Sequence, residues 1–311
     1  MCRLTFGDAC HLTHPLSTLP SLQAEPGRYR LYIGNACPWC HRVAIALVLR
    51  GLGSVVAVTT AVDAPERASR GGWAFDAPDP AFRAADLRGV YNAVSPGYVG
   101  RCTAPLLVDV TRRRAVSNDS AGIVAALDSV DAPGATRVRL RPPHLVQEID
   151  KLNAWVYDAV ANGVYRAGFA TTQAAYDEAA AGVREALVDL DARLAASRFL
   201  LGPKFTDADL RLFPTIARLD AAYGPLFRAG PDGGLRSLPN LQAWARDVWR
   251  LDAGAGRVGL TVDVEAARRS YFTSLFPLNP SGIVPMWGGA GLEEEPDRGS
   301  TAVEEAFWLR E

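Results

Sequence analysis

Cys37-Pro38-Trp39-Cys40-His41 sets two thiols three residues apart, with an imidazole directly after the second. These residue types at this spacing suit a redox dithiol, half of a zinc site, a haem attachment point or the nucleophile of a thiol-dependent transferase. The neighbouring elements narrow the choice. Arg28 to Ile33 alternates β-forming residues and reads as a strand, and Gly34-Asn35 reads as a turn. Pro38 to Arg50 is an apolar helix that Gly51 stops, and Gly53 to Thr59 is a second strand. In this β-helix-β frame Cys37 is a helix N-cap. It faces unpaired backbone N–H groups and the positive end of the helix dipole, both of which favour thiolate, the nucleophilic form. Pro38 suits the first helical position, where no N–H is required. Trp39 and Cys40 are expected to donate to the Cys37 sulfur, and His41-Arg42 to add local positive charge.

Structural zinc asks for four ligands, and the chain has neither a second Cys-x-x-Cys nor a His-x-x-x-His, so no metal is expected. C-P-W-C-H matches a haem attachment signature, but that cofactor is normally attached after export. The N-terminal residues hold no apolar segment of signal-peptide length, and no apolar run approaches the ~18 residues of a membrane span. The expectation is a cytosolic protein with no membrane partner. Its five cysteines, Cys2, Cys10, Cys37, Cys40 and Cys102, are an odd number in a long chain, which argues against a disulfide framework. Hydrophobic residues make up 49% and charged residues 22% of the 311 residues, and the net charge is −1. No global field recruits nucleic acid. Lys151 and Lys204 are the only lysines beside many arginines, the bias of a GC-rich genome.

Two further stretches fit a thiol site. Pro105 opens a strand, Thr103 to Asp109, and reads either as an edge-strand proline or as a cis-proline that exposes the backbone of Ala104 to a peptide-like ligand. Asn118-Asp119-Ser120 reads either as a helix cap alone or as a ligand site. In the second reading the helix N-terminus and Ser120 hold a carboxylate and Asp119 takes an ammonium. Asp63 to Tyr98 reads as a long, partly irregular insertion. Beyond a Pro- and Gly-rich linker the pattern becomes helical. Leu145, Ile149, Leu152, Val156 and Val160 form one apolar stripe, and Tyr176, Ala180, Val183, Leu187, Leu190 and Leu194 another. Thr206-Asp207-Ala208-Asp209 is a capping box opening a helix that continues to Asp220, with Pro214 inside it. Pro239 to Trp249 is a further helix. The boundaries are an N-terminal extension at 1–28, a thioredoxin-like thiol-binding domain at 29–130, a linker at 131–143, an all-helical domain at 144–287 and a tail at 288–311. The fold class is α/β plus all-α.

The motifs CPWCHR, GGWAF, GYVGRCTAPLLVD, SNDS, NGVYRAGFATTQAAYDEA, FTDADLRLFPTIARLDAAYG and NPSGIVP occur in this order. In this the chain resembles the Xi-class glutathione transferases, the glutathionyl-hydroquinone reductases, from about residue 30 to 285. The resemblance implies a thioredoxin-like domain followed by an all-helical transferase domain, and a homodimer built through the helical domain. It implies Cys37 as nucleophile, Trp73 packing over glutathione, Arg101 at its glycyl end, and Ala104-Pro105 and Asp119-Ser120 along the rest of it. Ala104 stands where the family has valine, and Asp119 where it has glutamate. Tyr165 corresponds to a tyrosine of the hydroquinone pocket. Tyr271-Phe272 falls where the family has two tyrosines, and Tyr271 is taken as the functional one. From their types alone, Tyr165 and Tyr271 also read as ordinary core aromatics.

The implied reaction removes glutathione from an S-conjugated hydroquinone through a mixed disulfide on Cys37, with no bound cofactor and with glutathione as cosubstrate. A GC-rich genome makes mycothiol an alternative thiol. A non-catalytic thiol-binding protein of the same fold is the rival from another class. Family members often carry alanine at the position of Cys40, which is either a resolving thiol or a packing residue.

Overall fold

The computed structural model describes residues 22–68, 72–275, 277–289, 291–294, 298 and 303–311. Cys2, Cys10 and most of the N-terminal extension lie outside the described residues. The chain forms two compact units: residues up to Val43 with Leu52–Pro133, and Ala44–Gly51 with the residues from Gly134 onward.

The first unit contains β1 (Tyr29–Gly34), the start of α1 (Pro38–Leu49), β2 (Val56–Ala61), α2 (Leu87–Val94), β3 (Leu106–Asp109), β4 (Arg114–Ser117) and α3 (Ser120–Ser129). The sheet order is β2-β1-β3-β4. β1 runs parallel to β2, with Gly34 beside Ala61, and antiparallel to β3, with Tyr32 beside Leu106. β3 runs antiparallel to β4, with Leu107 beside Ser117. This register has one consequence for the site. The ends of β1, β2 and β4 and the start of β3 all lie at one end of the sheet.

The stretch expected to be an irregular insertion contains a helix. Asp86 caps α2 by accepting from Gly89 N at 2.8 Å, and Leu87, Val90, Tyr91 and Val94 form its buried face. They pack with Tyr32, Ala61, Phe75, Leu106 and Val108. The loop before α2 is tied to the sheet end: Val62 N donates to Ala74 O at 2.9 Å and Leu87 N to Trp73 O at 2.9 Å. The Gly- and Asp-rich sequence around this short helix hides its three-to-four-residue apolar spacing.

The second unit contains β5 (Val138–Arg139), α4 (Val146–Val156), α5 (Gly163–Gly168), α6 (Gln173–Ala196), α7 (Asp207–Ile216), α8 (Pro239–Arg250), α9 (Val264–Ser274), α10 (Val303–Ala306) and β6 (Trp308–Leu309). Ile149, Leu152 and Val156 are buried in α4, Val160 in the turn after it, and Ala180, Val183, Leu187, Leu190 and Leu194 in α6, while Leu145 and Tyr176 at the stripe starts are half-buried. Two segments outside the helices differ from expectation. Within the expected linker, Val138 and Leu140 are fully buried, and β5 pairs antiparallel with β6. The final residues are not a loose tail, since Phe307 is fully buried against Phe205. No helix among the described residues is long and apolar enough to cross a membrane.

α7 stops at Ile216, earlier than expected. Pro214 removes one N–H from its last turn, and the Arg218 guanidinium donates to the Pro214 carbonyl at 3.0 Å. The chain then widens into a π-helical turn, Leu219–Tyr223, in which Tyr223 N donates to Arg218 O at 3.1 Å and Gly224 N to Leu219 O at 2.7 Å.

The capping box of α7 is fully formed. Asp209 accepts from Thr206 N at 3.0 Å, Thr206 Oγ1 at 3.1 Å, Leu200 N at 2.9 Å and Trp244 Nε1 at 3.0 Å. Burial pushes its carboxyl up to about 6 against the pull of these donors. Asp209→Ala strands buried donors and should cost about 2–3 kcal/mol in urea unfolding. The sign of the pH effect follows from the raised value. The folded state holds the proton more tightly than the unfolded state, so this group adds stability as pH falls through about 6. The margin of wild type over the variant should therefore widen between neutral and mildly acidic pH, and a margin that narrows would contradict this assignment.

Candidate active site

The sheet end gathers the candidate thiol residues. β1 ends at Gly34, and Cys37 follows as the residue before α1. Cys37 N donates to Gly34 O at 3.2 Å, which closes the turn. The Cys37 sulfur accepts from Cys40 N at 3.4 Å, one of the two first-turn donors expected from the sequence. On its other side the Cys37 thiol is 3.6 Å from the Ala104 carbonyl and donates to it. The Ala104–Pro105 peptide is cis. Cys37 is 9% exposed and Cys40 is fully buried. His41 and Arg42 are also buried.

Trp73 arrives at the same end through the bridge between Val62 and Ala74. Its indole lies against Gly34: a Cβ on that glycine would stand 2.0 Å from Trp73 Cζ3. Glycine is therefore required here by close approach. The Arg101 side chain is exposed. Asp119 is the N-cap of α3, and its carboxylate accepts from Ala121 N at 3.2 Å and Gly122 N at 2.7 Å. Ser120 is buried beside it. The capping reading of Asp119 thus describes its contacts in this structure.

Three residues around these positions had no role assigned from the sequence. Asn118 Nδ2 donates to Thr103 Oγ1 at 3.1 Å and to Tyr91 OH at 3.2 Å, while Tyr91 OH donates to Thr103 O at 2.9 Å. This network ties the cis-proline loop to the β4–α3 turn and to α2. An Asn directly before a helix cap and a Thr two residues before the proline were the available signals.

A second cluster lies within the helical unit. Tyr165 and Tyr271 hydroxyls are 2.6 Å apart, Tyr165 and Tyr223 3.2 Å, and Tyr223 and Tyr271 3.1 Å. The three phenols close a triangle. Phe227 packs edge-on to Tyr165 and Tyr271, and Phe169 stacks with Tyr165. Burial first, and then Tyr223, holds the Tyr165 and Tyr271 phenols well above the usual tyrosine value, and the Arg218 charge partly opposes this at Tyr271. They stay protonated donors at neutral pH. Of the pair Tyr271-Phe272, Tyr271 carries the hydroxyl of this triangle. Tyr223 was missed by sequence reading. Its signal is its place at the end of the π-helical turn, in a segment read as continuing helix.

The N-terminal domain model of the glutathione S-transferases matches residues 36–130, and the corresponding C-terminal domain model matches residues 173–247. The chain is 40% identical over 270 residues to the glutathionyl-hydroquinone reductase PcpF of Sphingobium chlorophenolicum, covering 85% of this chain and 84% of that one. The glutathione-bound structure of YqjG from Escherichia coli K-12 superposes with a TM-score of 0.81 at 37% identity, covering 89% of each chain. The Xi-class transferase of Phanerochaete chrysosporium superposes with a TM-score of 0.75 at 35% identity, covering 85% of this chain and 91% of that one. The chain belongs to the Xi class of glutathione transferases.

In this Xi-class transferase the Gly34–Trp73 approach gives a direct check on the packing beside Cys37. Gly34→Ala should push the indole aside at a cost of about 1–3 kcal/mol. Its intrinsic fluorescence should shift, and that shift should vanish in a Trp73→Phe background. A spectrum identical to wild type would contradict the packing.

Proposed function

We propose that this transferase is a thiol-dependent reductase that removes glutathione from S-glutathionyl hydroquinones. The observation that carries the reading is the Cys37 sulfur at a helix N-terminus, accepting from Cys40 N and facing the Ala104 carbonyl. A cysteine here is itself a nucleophile, so a mixed disulfide on the protein is favoured over activation of glutathione for conjugation. The names of PcpF and YqjG as glutathionyl-hydroquinone reductases support the substrate class.

In the first step the Cys37 thiolate attacks the sulfur of the conjugate. The carbon–sulfur bond breaks, and its electron pair passes to the ring carbon, which takes a proton through a keto tautomer. Cys37 is left disulfide-bonded to glutathione. Thiol exchange then resolves that disulfide, with a second glutathione as the final reductant, giving glutathione disulfide and regenerating the Cys37 thiol. The sum is conjugate plus glutathione giving hydroquinone plus glutathione disulfide.

The same proposal gives the tyrosines the ring oxygens. The three hydroxyls stand within hydrogen-bond distance of one another, so a ring oxygen that accepts from one phenol competes with a side of the triangle. Because the phenols stay protonated, the activity should show no tyrosine ionisation at neutral pH. For glutathione itself, the reading gives Trp73 the role of packing over it, Arg101 its glycyl carboxylate, the Ala104 backbone its cysteinyl amide, and Asp119-Ser120 its γ-glutamyl end. It also takes the protein to be a cytoplasmic homodimer through the helical unit.

Turnover of glutathionyl- and mycothiyl-hydroquinones, measured side by side, tests the proposal. Glutathionyl conjugates should be reduced, and Cys37→Ser should abolish the reaction. Preference for the mycothiyl conjugate would change the thiol, and no turnover of either would favour a non-catalytic binding protein. Tyr165→Phe should lower kcat/KM by about ten- to a hundredfold, the worth of one to two hydrogen bonds to the ring. An unchanged value would remove Tyr165 from the mechanism.

A further inference from the structure

The first turn of α1 carries a second thiol, and its position bears on how the enzyme is reset. Cys37 and Cys40 are both thiols, not a disulfide. The Cys37 sulfur is 3.4 Å from the Cys40 nitrogen, and two carbons separate that nitrogen from the Cys40 sulfur. The two sulfurs therefore belong to one turn of chain, on the residue before α1 and on the third residue of its first turn. Their exposure differs in kind. Cys37 retains 9% and Cys40 none, so a solvent molecule reaches only Cys37.

We propose that Cys40 is the resolving thiol of the reaction. This rests on the reading of Cys37 as the residue that forms the mixed disulfide. Once glutathione is bonded to Cys37, the narrow access to its sulfur is covered by the glutathione itself. A second glutathione must reach past the first. The Cys40 backbone already touches the same sulfur at 3.4 Å, and an intramolecular thiol has a large effective concentration. The exchange balances without a further reactant. The Cys40 thiol attacks the Cys37 sulfur, the Cys37–Cys40 bond forms, the bond to glutathione breaks, and the departing sulfur takes the Cys40 proton. Glutathione leaves in the reduced form. The protein then holds an internal disulfide that two molecules of glutathione reduce, giving glutathione disulfide and the same overall reaction.

The consequence differs from a one-cysteine cycle in a single turnover. Reduced protein, freed of small thiols, is mixed in excess either with a glutathionyl-hydroquinone or with glutathione disulfide, and its intact mass and cysteine peptides are followed. Wild type should release reduced glutathione and become two hydrogens lighter, with Cys37 and Cys40 crosslinked. Cys40→Ala should keep glutathione on Cys37, its release slowed at least tenfold. Wild type that keeps the adduct as long as Cys40→Ala, or that crosslinks Cys37 to Cys102, would overturn the proposal, and the wild-type result stands even if the variant fails to fold. The glutathione disulfide arm separates the two claims. Internal disulfide from that arm with no hydroquinone from the other would support Cys40 as resolving thiol and overturn the hydroquinone reading instead.

Discussion

The site depends on one contact pattern: the Cys37 sulfur held between the first-turn Cys40 N–H of α1 and the Ala104 carbonyl before the cis-proline. Both neighbours are backbone groups, so they are fixed by the fold and not by side-chain choice. The order β2-β1-β3-β4 and its register bring the end of β1 and the start of β3 together at one sheet end. The same register delivers the β4–α3 turn and, through the Val62–Ala74 bridge, the loop carrying Trp73. Four segments distant in sequence meet there through strand direction and that one bridge.

The helix caps show how the site is set apart from the scaffold. α2, α3 and α9 are capped by Asp86, Asp119 and Asp263, and α6 and α7 by Thr172 and Thr206. Each uses a side-chain oxygen to satisfy first-turn donors. At α1 that position falls to a cysteine. Sulfur accepts more weakly than oxygen but can be a nucleophile, so in the proposed reaction a capping position also serves chemistry. The helical unit contributes a different kind of group. Its three tyrosine hydroxyls hydrogen-bond one another, and the Tyr165 and Tyr271 phenols, held well above the usual tyrosine value, carry no charge into their aromatic surrounding.

What was legible in the sequence was local. The β1–α1–β2 frame, the N-cap position of Cys37, the capping box of α7 and the two apolar stripes all follow from spacing within one or two turns. What was not legible depends on distance or on interrupted periodicity. α2 lies in a stretch whose Gly, Pro and Asp content reads as loop. β5 and β6 are too short to signal strands, and their pairing joins residues at opposite ends of the helical unit. Tyr223 lies in a π-helical turn that follows a helix shortened at Pro214, so a regular helical wheel misplaces it. The Asn118–Tyr91–Thr103 network links three elements, and no window of sequence contains it.

A crystal structure of the protein soaked with glutathione disulfide tests the account most directly. The account predicts glutathione disulfide-bonded to Cys37 in Cys40→Ala, its cysteinyl backbone paired with Ala104, its γ-glutamyl end at Asp119-Ser120, and the Trp73 indole over it. Glutathione bound elsewhere, or with its sulfur turned away from Cys37, would contradict it.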